Sequence, residues 1–464
     1  MSSSRRTIRS TKPRKPITMP KVAAIDQPTL RPSWLWNHMK AAGLVSRAIS
    51  VAMRVSRRSW LASASDSSPV RSLPTTSADA MCSVYPCPFG ASFIRMGSHV
   101  SFRNGFTAEQ VDRARRYHRP LYLALAVDLL FAGGVLAVLA FTRVGDWFYG
   151  AVDDLPWSAA APAFAAIVVC VSAFVRLPLG FWRGFVRERR WGLSTQRLGG
   201  WVADVLKGTL IGAVFAGLVE VAVVALVRWS PGWWPLWAAL ALAAGVLVLS
   251  FIAPVVLEPL FNRFRPLADA ELARELRALA ARAGVPVREV LVADASRRTK
   301  KVNAYVSGLG RTRRIVLYDT LLERAGAPEV RLVVAHELGH RRDRHVLKGT
   351  VLGMAGAVVA VLLVWGALGS DAGDPRNAPV VLLVGLALQL ATLAPGSALS
   401  RRWERAADRA SLELTDDLPA FETAHRALAL ANLSDLDPPR LVYLLLFSHP
   451  TPPERIAAAR ATGA

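Results

Sequence analysis

Six stretches of about twenty apolar residues punctuate this chain, and charged or aromatic residues bound each of them. A helix needs about 20 apolar residues to cross the hydrocarbon core of a bilayer. Residues 121–141, 159–179, 206–227 and 234–256 form a first group of four, and 346–368 and 380–399 form a later pair. Trp233, Trp234 and Trp237 cluster at one boundary, the usual interfacial place for tryptophan. Pro395 and Gly396 interrupt the last stretch near its end. Asp128, Arg176 and Glu220 fall inside apolar stretches. Ionisable groups are costly in lipid, so they are expected to face the bundle interior or a watery cavity, to sit near an interface, or to be paired.

Between the two groups the pattern changes. Residues 268–283 place apolar side chains at i, i+3 and i+4, and Gly284 and Pro286 end the run, which predicts an amphipathic helix. Residues 290–292 and 313–318 read as short strands, and 303–308 as a strand ending in a turn. A helix is expected over 319–324, capped by Asp319 or Thr320, and another over 329–344. The expected fold is mainly α: a polytopic helical membrane protein of about six spans with a small α+β domain formed by the insert and the C-terminal segment. The segments are 1–105 (a tail), 106–256 (four spans), 257–345 (the soluble insert), 346–399 (two spans) and 400–464 (a C-terminal segment).

Composition separates the tail from the rest. Residues 1–105 are rich in Ser, Arg, Pro and Ala without sustained periodicity, which reads as disorder. The alternative for 34–61 is a basic amphipathic helix lying on a membrane. Arg5-Arg6 has no apolar run behind it, so it is not an export signal. Met96 is an alternative start, because the pattern changes just after it, at Phe106. The mean hydropathy of +0.30 over 464 residues fits several spans joined to a soluble part. The three cysteines, Cys82, Cys87 and Cys170, form no Cys-x-x-Cys, which argues against a disulfide framework or a thiolate metal site.

The net charge is +23, and residues 1–96 hold 15 Lys/Arg against 3 Asp/Glu. Nucleic acid is excluded as the partner, because elsewhere the arginines alternate with spans and no recognition fold accompanies them. Anionic lipid fits better. Arg113, Arg115, Arg116 and Arg119 precede the first stretch, and Arg183, Arg187, Arg189, Arg190 and Arg197 lie between the second and third. The alternate loops carry Asp146, Asp153, Asp154, Asp371 and Asp374. Positive charge stays on the inner side, so 257–345 and everything after residue 399 are expected in the cytoplasm.

The chemistry centres on His336-Glu337-Leu338-Gly339-His340. On a helix, His336 and His340 lie one turn apart on one face and can share a tetrahedral Zn2+, one per chain, while Glu337 acts as general base on water. The bare motif is common, but a helical setting with apolar residues before it and a small residue within strengthens it. Arg341 is unusual, since an uncharged residue often follows the second histidine. A third ligand is expected from Glu404 or Asp408, which are four apart and share a helix face just past the last span; the other carboxylate would hold a histidine ligand from behind. Read alone, the same residues among arginines would make surface salt bridges.

Several blocks, in order, resemble the integral-membrane zinc metalloproteases of the CAAX prenyl protease 1 family, related to the HtpX proteases. They are Phe185–Glu188 with Trp191–Gln196, Asn303-Ala304-Tyr305 with Gly308, Arg314–Leu321, the His336 motif with His345, Ser400-Arg401-x-x-Glu404-x-x-Ala407-Asp408, and Ser448-His449-Pro450 with Glu454-Arg455-Ile456. The resemblance implies that His336, His340 and Glu404 bind zinc and that Glu337 is the base. It implies a proton-donor or supporting role for Asp408, and places His449 and Arg455 near the oxyanion and substrate. Asn303, Ala304, Tyr305 and Gly308 would line a peptide or protein substrate, prenylated or membrane-associated. Eukaryotic members have seven spans and often carry Trp where Arg341 stands. The expected function is a membrane-embedded zinc metalloendopeptidase cutting on the cytoplasmic side. A quality-control protease of misfolded membrane proteins is the alternative, and a non-catalytic scaffold fits less well because no ligand is missing.

Overall fold

The computed structural model describes residues 105–308 and 312–462. The tail before Gly105, with the helix reading at 34–61 and the alternative start at Met96, lies outside the described residues.

Among the described residues, six helices are long and apolar enough to cross a membrane. The first four are α1 (Ala108–Phe141), α2 (Trp157–Phe181), α3 (Leu198–Trp229) and α4 (Trp234–Ile252). Thr107 opens α1 with a capping box: Gln110 N–H donates to its hydroxyl, and the Gln110 side chain accepts from Thr107 N–H. Their outward faces carry Leu123, Leu206, Leu210, Leu218 and Leu240, each more than half exposed. An apolar surface of that extent is costly in water and natural in lipid. The expected ionisable residues divide into two cases. Asp128 accepts a bidentate bond from Arg176, at 2.8 and 2.7 Å, joining α1 to α2. Glu220 on α3 is buried, and its Oε1 has no hydrogen-bond partner.

The insert folds as a small α/β layer. Strand β1 (Phe264–Pro266) is followed by α5 (Ala270–Arg282) and β2 (Glu289–Ala293), then β3 (Ala304–Ser307) and β4 (Arg314–Tyr318). Asp269 caps α5 by accepting from the N–H groups of Glu271 and Leu272. Leu272, Ala273, Leu276, Leu279 and Ala280 form its buried face. At its end Val285 N–H reaches the Ala280 carbonyl and Gly284 N–H reaches Ala281, a Schellman closure in which Gly284 takes φ +69°. The sheet order is β1-β2-β4-β3; β2 and β4 run parallel, and the outer pairs antiparallel. Strand β3 is therefore an edge. The expected cap at Asp319 or Thr320 is displaced: Tyr318 is the N-cap of the short turn Asp319–Leu322, and Asp319 instead accepts from the backbone N–H and hydroxyl of Ser296.

Helix α6 (Ala327–Arg342) packs Val330, Val334, Ala335 and Leu338 onto Ile315 and Leu317 of the sheet. Helices α7 (His345–Leu368) and α8 (Ala378–Thr415) supply the last two spans, and α9 (Leu418–Ala431), α10 (Arg440–Leu446) and α11 (Pro452–Thr462) complete the chain. The insert is stitched to the loop after α2. Lys300 N–H donates to the Leu193 carbonyl, Thr195 N–H donates to Arg298, and Lys301 pairs with Glu188 at 2.9 Å. Arg187 is buried in the same place, among the rings of Tyr117, Trp182 and Trp191.

Candidate metal centre

Helix α6 carries His336 and His340 one turn apart, as the spacing requires, and Gly339 lies between them in sequence. A Cβ on Gly339 would stand 2.9 Å from the Ala410 Cβ and 3.1 Å from the Ala407 Cα. Only glycine lets α6 lie this close to α8, and that approach brings Glu404 of α8 to the two histidines. The Nε2 atoms of His336 and His340 are 3.2 Å apart. Each lies 3.3 Å from a Glu404 carboxylate oxygen. A tetrahedron with metal–donor bonds of about 2.0–2.1 Å has edges of about 3.3–3.4 Å. The two histidine donors meet that spacing with each other, and each meets it with one oxygen of Glu404 (Oε2 for His336, Oε1 for His340), so the three side chains can hold one zinc-sized ion. The Glu404 Oε2 atom is buried without a hydrogen-bond partner. A buried carboxylate lone pair left unsatisfied is expensive unless a cation takes it. The residues present therefore fit a metal.

Behind the donors lies a second ring of contacts. His336 Nδ1 is 3.0 Å from Asp408 Oδ1, one turn beyond Glu404 on α8. Arg455 of α11 holds both oxygens of Asp408, with Nε donating to Oδ2 at 2.9 Å and Nη2 to Oδ1, and its Nη2 also lies 3.2 Å from His336 Nδ1. His340 Nδ1 faces His345 Nδ1 at 3.0 Å, and the His345 ring stacks on Trp403. His449 approaches from the open side, with Nε2 3.2 Å from Glu404 Oε1 and Nδ1 bonded to the Ser448 hydroxyl.

Burial opposes a charge on His336, but the neighbouring Asp408 and Glu404 carboxylates outweigh it and raise its pKa to about 9. Burial raises the Glu337 carboxyl above its usual range, with His336 and His340 pulling the other way.

Of the expected substrate contacts, Asn303 and Ala304 line a cavity of about 470 Å³ together with His336, Glu337, His449 and Arg455. Tyr305 and Gly308 are not brought to it. Successive side chains of a strand alternate faces, so Tyr305 turns away, and its hydroxyl donates to Glu258. Gly308 ends β3 at φ +81°. The sequence reading assigns no role to three residues that the site uses. Arg401, one turn before Glu404, donates to the carbonyls of Tyr443 and Phe447 and so anchors the segment carrying His449. His345 backs His340. His425 is buried beside Asp408, at 3.9 Å, and bonds the Phe421 carbonyl. Arg401 and His345 stood inside motif blocks, which is a weak signal; His425 carried none.

Comparison with known proteins gives the same picture. The sequence model described as Peptidase family M48 matches residues 266–463. That described as CAAX prenyl protease N-terminal, five membrane helices, matches 98–263. The uncharacterized metalloprotease YhfN of Bacillus subtilis (strain 168) is 32% identical over 313 residues, covering 64% of this chain and 72% of that protein. CAAX prenyl protease 1 of Saccharomyces cerevisiae is 33% identical over 186 residues, 40% of this chain and 41% of that protein. The Arabidopsis thaliana homolog of CAAX prenyl protease 1 is 34% identical over 39% of this chain and 43% of its own length. The chain thus aligns with less than half the length of these two relatives. The crystal structure of S. mikatae Ste24p superposes with a TM-score of 0.67 at 24% identity, covering 76% of this chain and 90% of that one, which establishes a common fold. With a metal-spaced His-His-Glu set on a membrane-helix scaffold, the chain belongs to peptidase family M48 and is a membrane metallopeptidase of the CAAX prenyl protease kind.

Proposed function

We propose that this protein is a zinc-dependent endopeptidase whose site faces the cytoplasm and cuts peptides near the membrane surface. The observation that carries the reading is the cluster of His336, His340 and Glu404, with the histidine Nε2 atoms 3.2 Å apart and each 3.3 Å from its own Glu404 oxygen, beside Glu337 and the Asn303 end of an edge strand. A zinc ion held by the three would act as a Lewis acid, polarising the scissile carbonyl and making water a stronger acid. Glu337 takes the proton of the attacking water and returns it to the leaving amine. Asp408 accepts from His336 Nδ1 and so points Nε2 at the metal. Arg455 pairs with Asp408 and lies at the wall of the cavity, where with His449 it supplies N–H donors for the developing oxyanion. In this reading the insert 257–345 and the segment 400–464 form one catalytic unit, built on membrane segments 106–256 and 346–399.

Sidedness rests on charge. The arginines around 113–119 and 183–197 flank the same ends of the spans as the insert, and the opposite loops carry aspartates. Preference for a prenylated peptide follows the named CAAX relatives. The test is incubation of the purified, zinc-loaded protein with prenylated and unprenylated forms of one peptide, with and without a chelator. Cleavage confined to the prenylated form and lost with chelator is the expected result. Equal cleavage of both would instead favour a quality-control protease. Glu337→Gln should keep zinc and lose turnover; normal turnover in that variant would sink the mechanism.

A further inference from the structure

Strand β3 has one side open. Tyr318 N–H donates to the Asn303 carbonyl, so residues 303 and 305 bond toward β4, and residues 304 and 306 turn their N–H and C=O groups to the edge. Two of those four edge groups are already occupied. Asn303 Oδ1 accepts from Ala304 N–H at 3.0 Å. The Val306 carbonyl accepts from Arg341, from Nε at 3.1 Å and from Nη2. Among the described residues, the Ala304 C=O and the Val306 N–H remain for a ligand.

A peptide added antiparallel to β3 would run with its carboxyl end at Asn303 and its amino end at Val306. Asn303 and Ala304 line the cavity that holds His336 and Glu337, and Val306 does not. The bond to be cut therefore lies at the Asn303 end, and Val306 lies beside residues preceding it. The Arg341 guanidinium stands where the next N–H of the added strand would come, so the ladder stops there and the substrate meets a cation. That charge is uncommitted. Arg341 makes no ion pair among the described residues. Glu258, the carboxylate beside β3, is engaged by Arg314 at 3.2 Å and by the hydroxyls of Ser307 and Tyr305.

We propose that Arg341 is a specificity-determining residue: it closes the edge of β3 at Val306 and selects an acidic side chain two or three residues before the scissile bond. The inference rests on the endopeptidase reading above and adds a substrate class to it, a peptide acidic on its amino-terminal side. An opposite charge at that point gains a partly solvated ion pair, and a lysine is repelled.

The experiment uses the full zinc-loaded protein in detergent and a peptide whose cleaved bond is mapped by mass spectrometry. Glu, Ala or Lys is placed at the second and third residues before that bond, and kcat/KM is measured for each. The expected Glu-to-Lys ratio is about fivefold or more at one of these positions at low salt, and smaller at high salt. Arg341→Lys should keep the preference, Arg341→Gln should bring the ratio to about one, and Arg341→Glu should invert it. The ratio is an internal comparison, so a variant of lower overall activity still reports it, whereas a purely structural role for Arg341 would leave it fixed. A ratio unchanged in Arg341→Gln and Arg341→Glu overturns the assignment and leaves the endopeptidase reading standing. Failure of the wild type to cleave any peptide overturns both.

Discussion

Asp408 touches the metal centre only through another residue. Its Oδ1 lies 3.0 Å from His336 Nδ1, and Arg455 holds it in place. Such backing groups typically change metal affinity 10–100-fold. Asp408→Asn should therefore keep the three ligands and lose zinc to a competing chelator at about tenfold or more lower concentration. Unchanged zinc retention would reduce Asp408 to a packing residue. His425 makes a different prediction. Burial, reinforced by Arg455 and opposed by Asp408, lowers its pKa from 6.5 to about 3. Between those values the unfolded chain binds a proton that the folded chain refuses, so stability is lost as pH falls from about 6.5 toward 3. The loss from pH 7 to pH 5 should be about 2 kcal/mol. Thermal unfolding of the wild type and of His425→Phe at both values should show the acid loss shrinking in the variant. The ligand pair and Glu337 were legible because an i, i+4 spacing is a statement about one helix. His425 was not, because its meaning comes from Asp408 and Arg455, which reach it from α8 and α11.

At the scale of elements, the motif helix is useful only as far as α8 can approach it. Gly339→Ala would place a methyl group 2.9 Å from the Ala410 Cβ, a distance carbon atoms do not hold, so the helices must separate. Overpacking of this kind costs about 1–3 kcal/mol. Separation would also draw Glu404 from the histidines, so zinc content should drop along with stability. A variant of normal zinc content would show that the helices can yield without moving the ligand. The apolar pattern located α5, β2 and β4 to within about two residues: α5 buries one face and shows the helical period, while β2 and β4 are buried on both faces and show as short apolar runs. It missed β1, Phe264–Pro266, which is exposed on two of its three residues and packs only Phe264 against the sheet. It also misplaced the cap at Asp319, whose carboxylate is drawn to Ser296 by the tertiary fold.

For the molecule as a whole, the six apolar stretches found by length alone correspond to the six long helices, since a bilayer demands length and composition before it demands anything else. What length could not foretell was the fate of the charges within them. Asp128 is buried and held at both oxygens by Arg176, with Arg183 3.8 Å away. Arg176 is partly exposed, but its removal leaves the buried Asp128 carboxylate with only the more distant Arg183, whereas replacing both partners with apolar groups of similar volume is often neutral or stabilising. Arg176→Met alone should thus lower the unfolding temperature in detergent markedly, and Asp128→Leu combined with Arg176→Met should restore most of it. Glu220 has no such partner: its buried Oε1 is unsatisfied among the hydrogen bonds of the described residues. Glu220→Leu removes that unsatisfied group without orphaning another, so it should be neutral or stabilising where Arg176→Met is destabilising. A loss of stability in Glu220→Leu equal to that of Arg176→Met would mean that Glu220 is bonded by something other than these residues, and that the two charged positions serve the membrane domain in the same way.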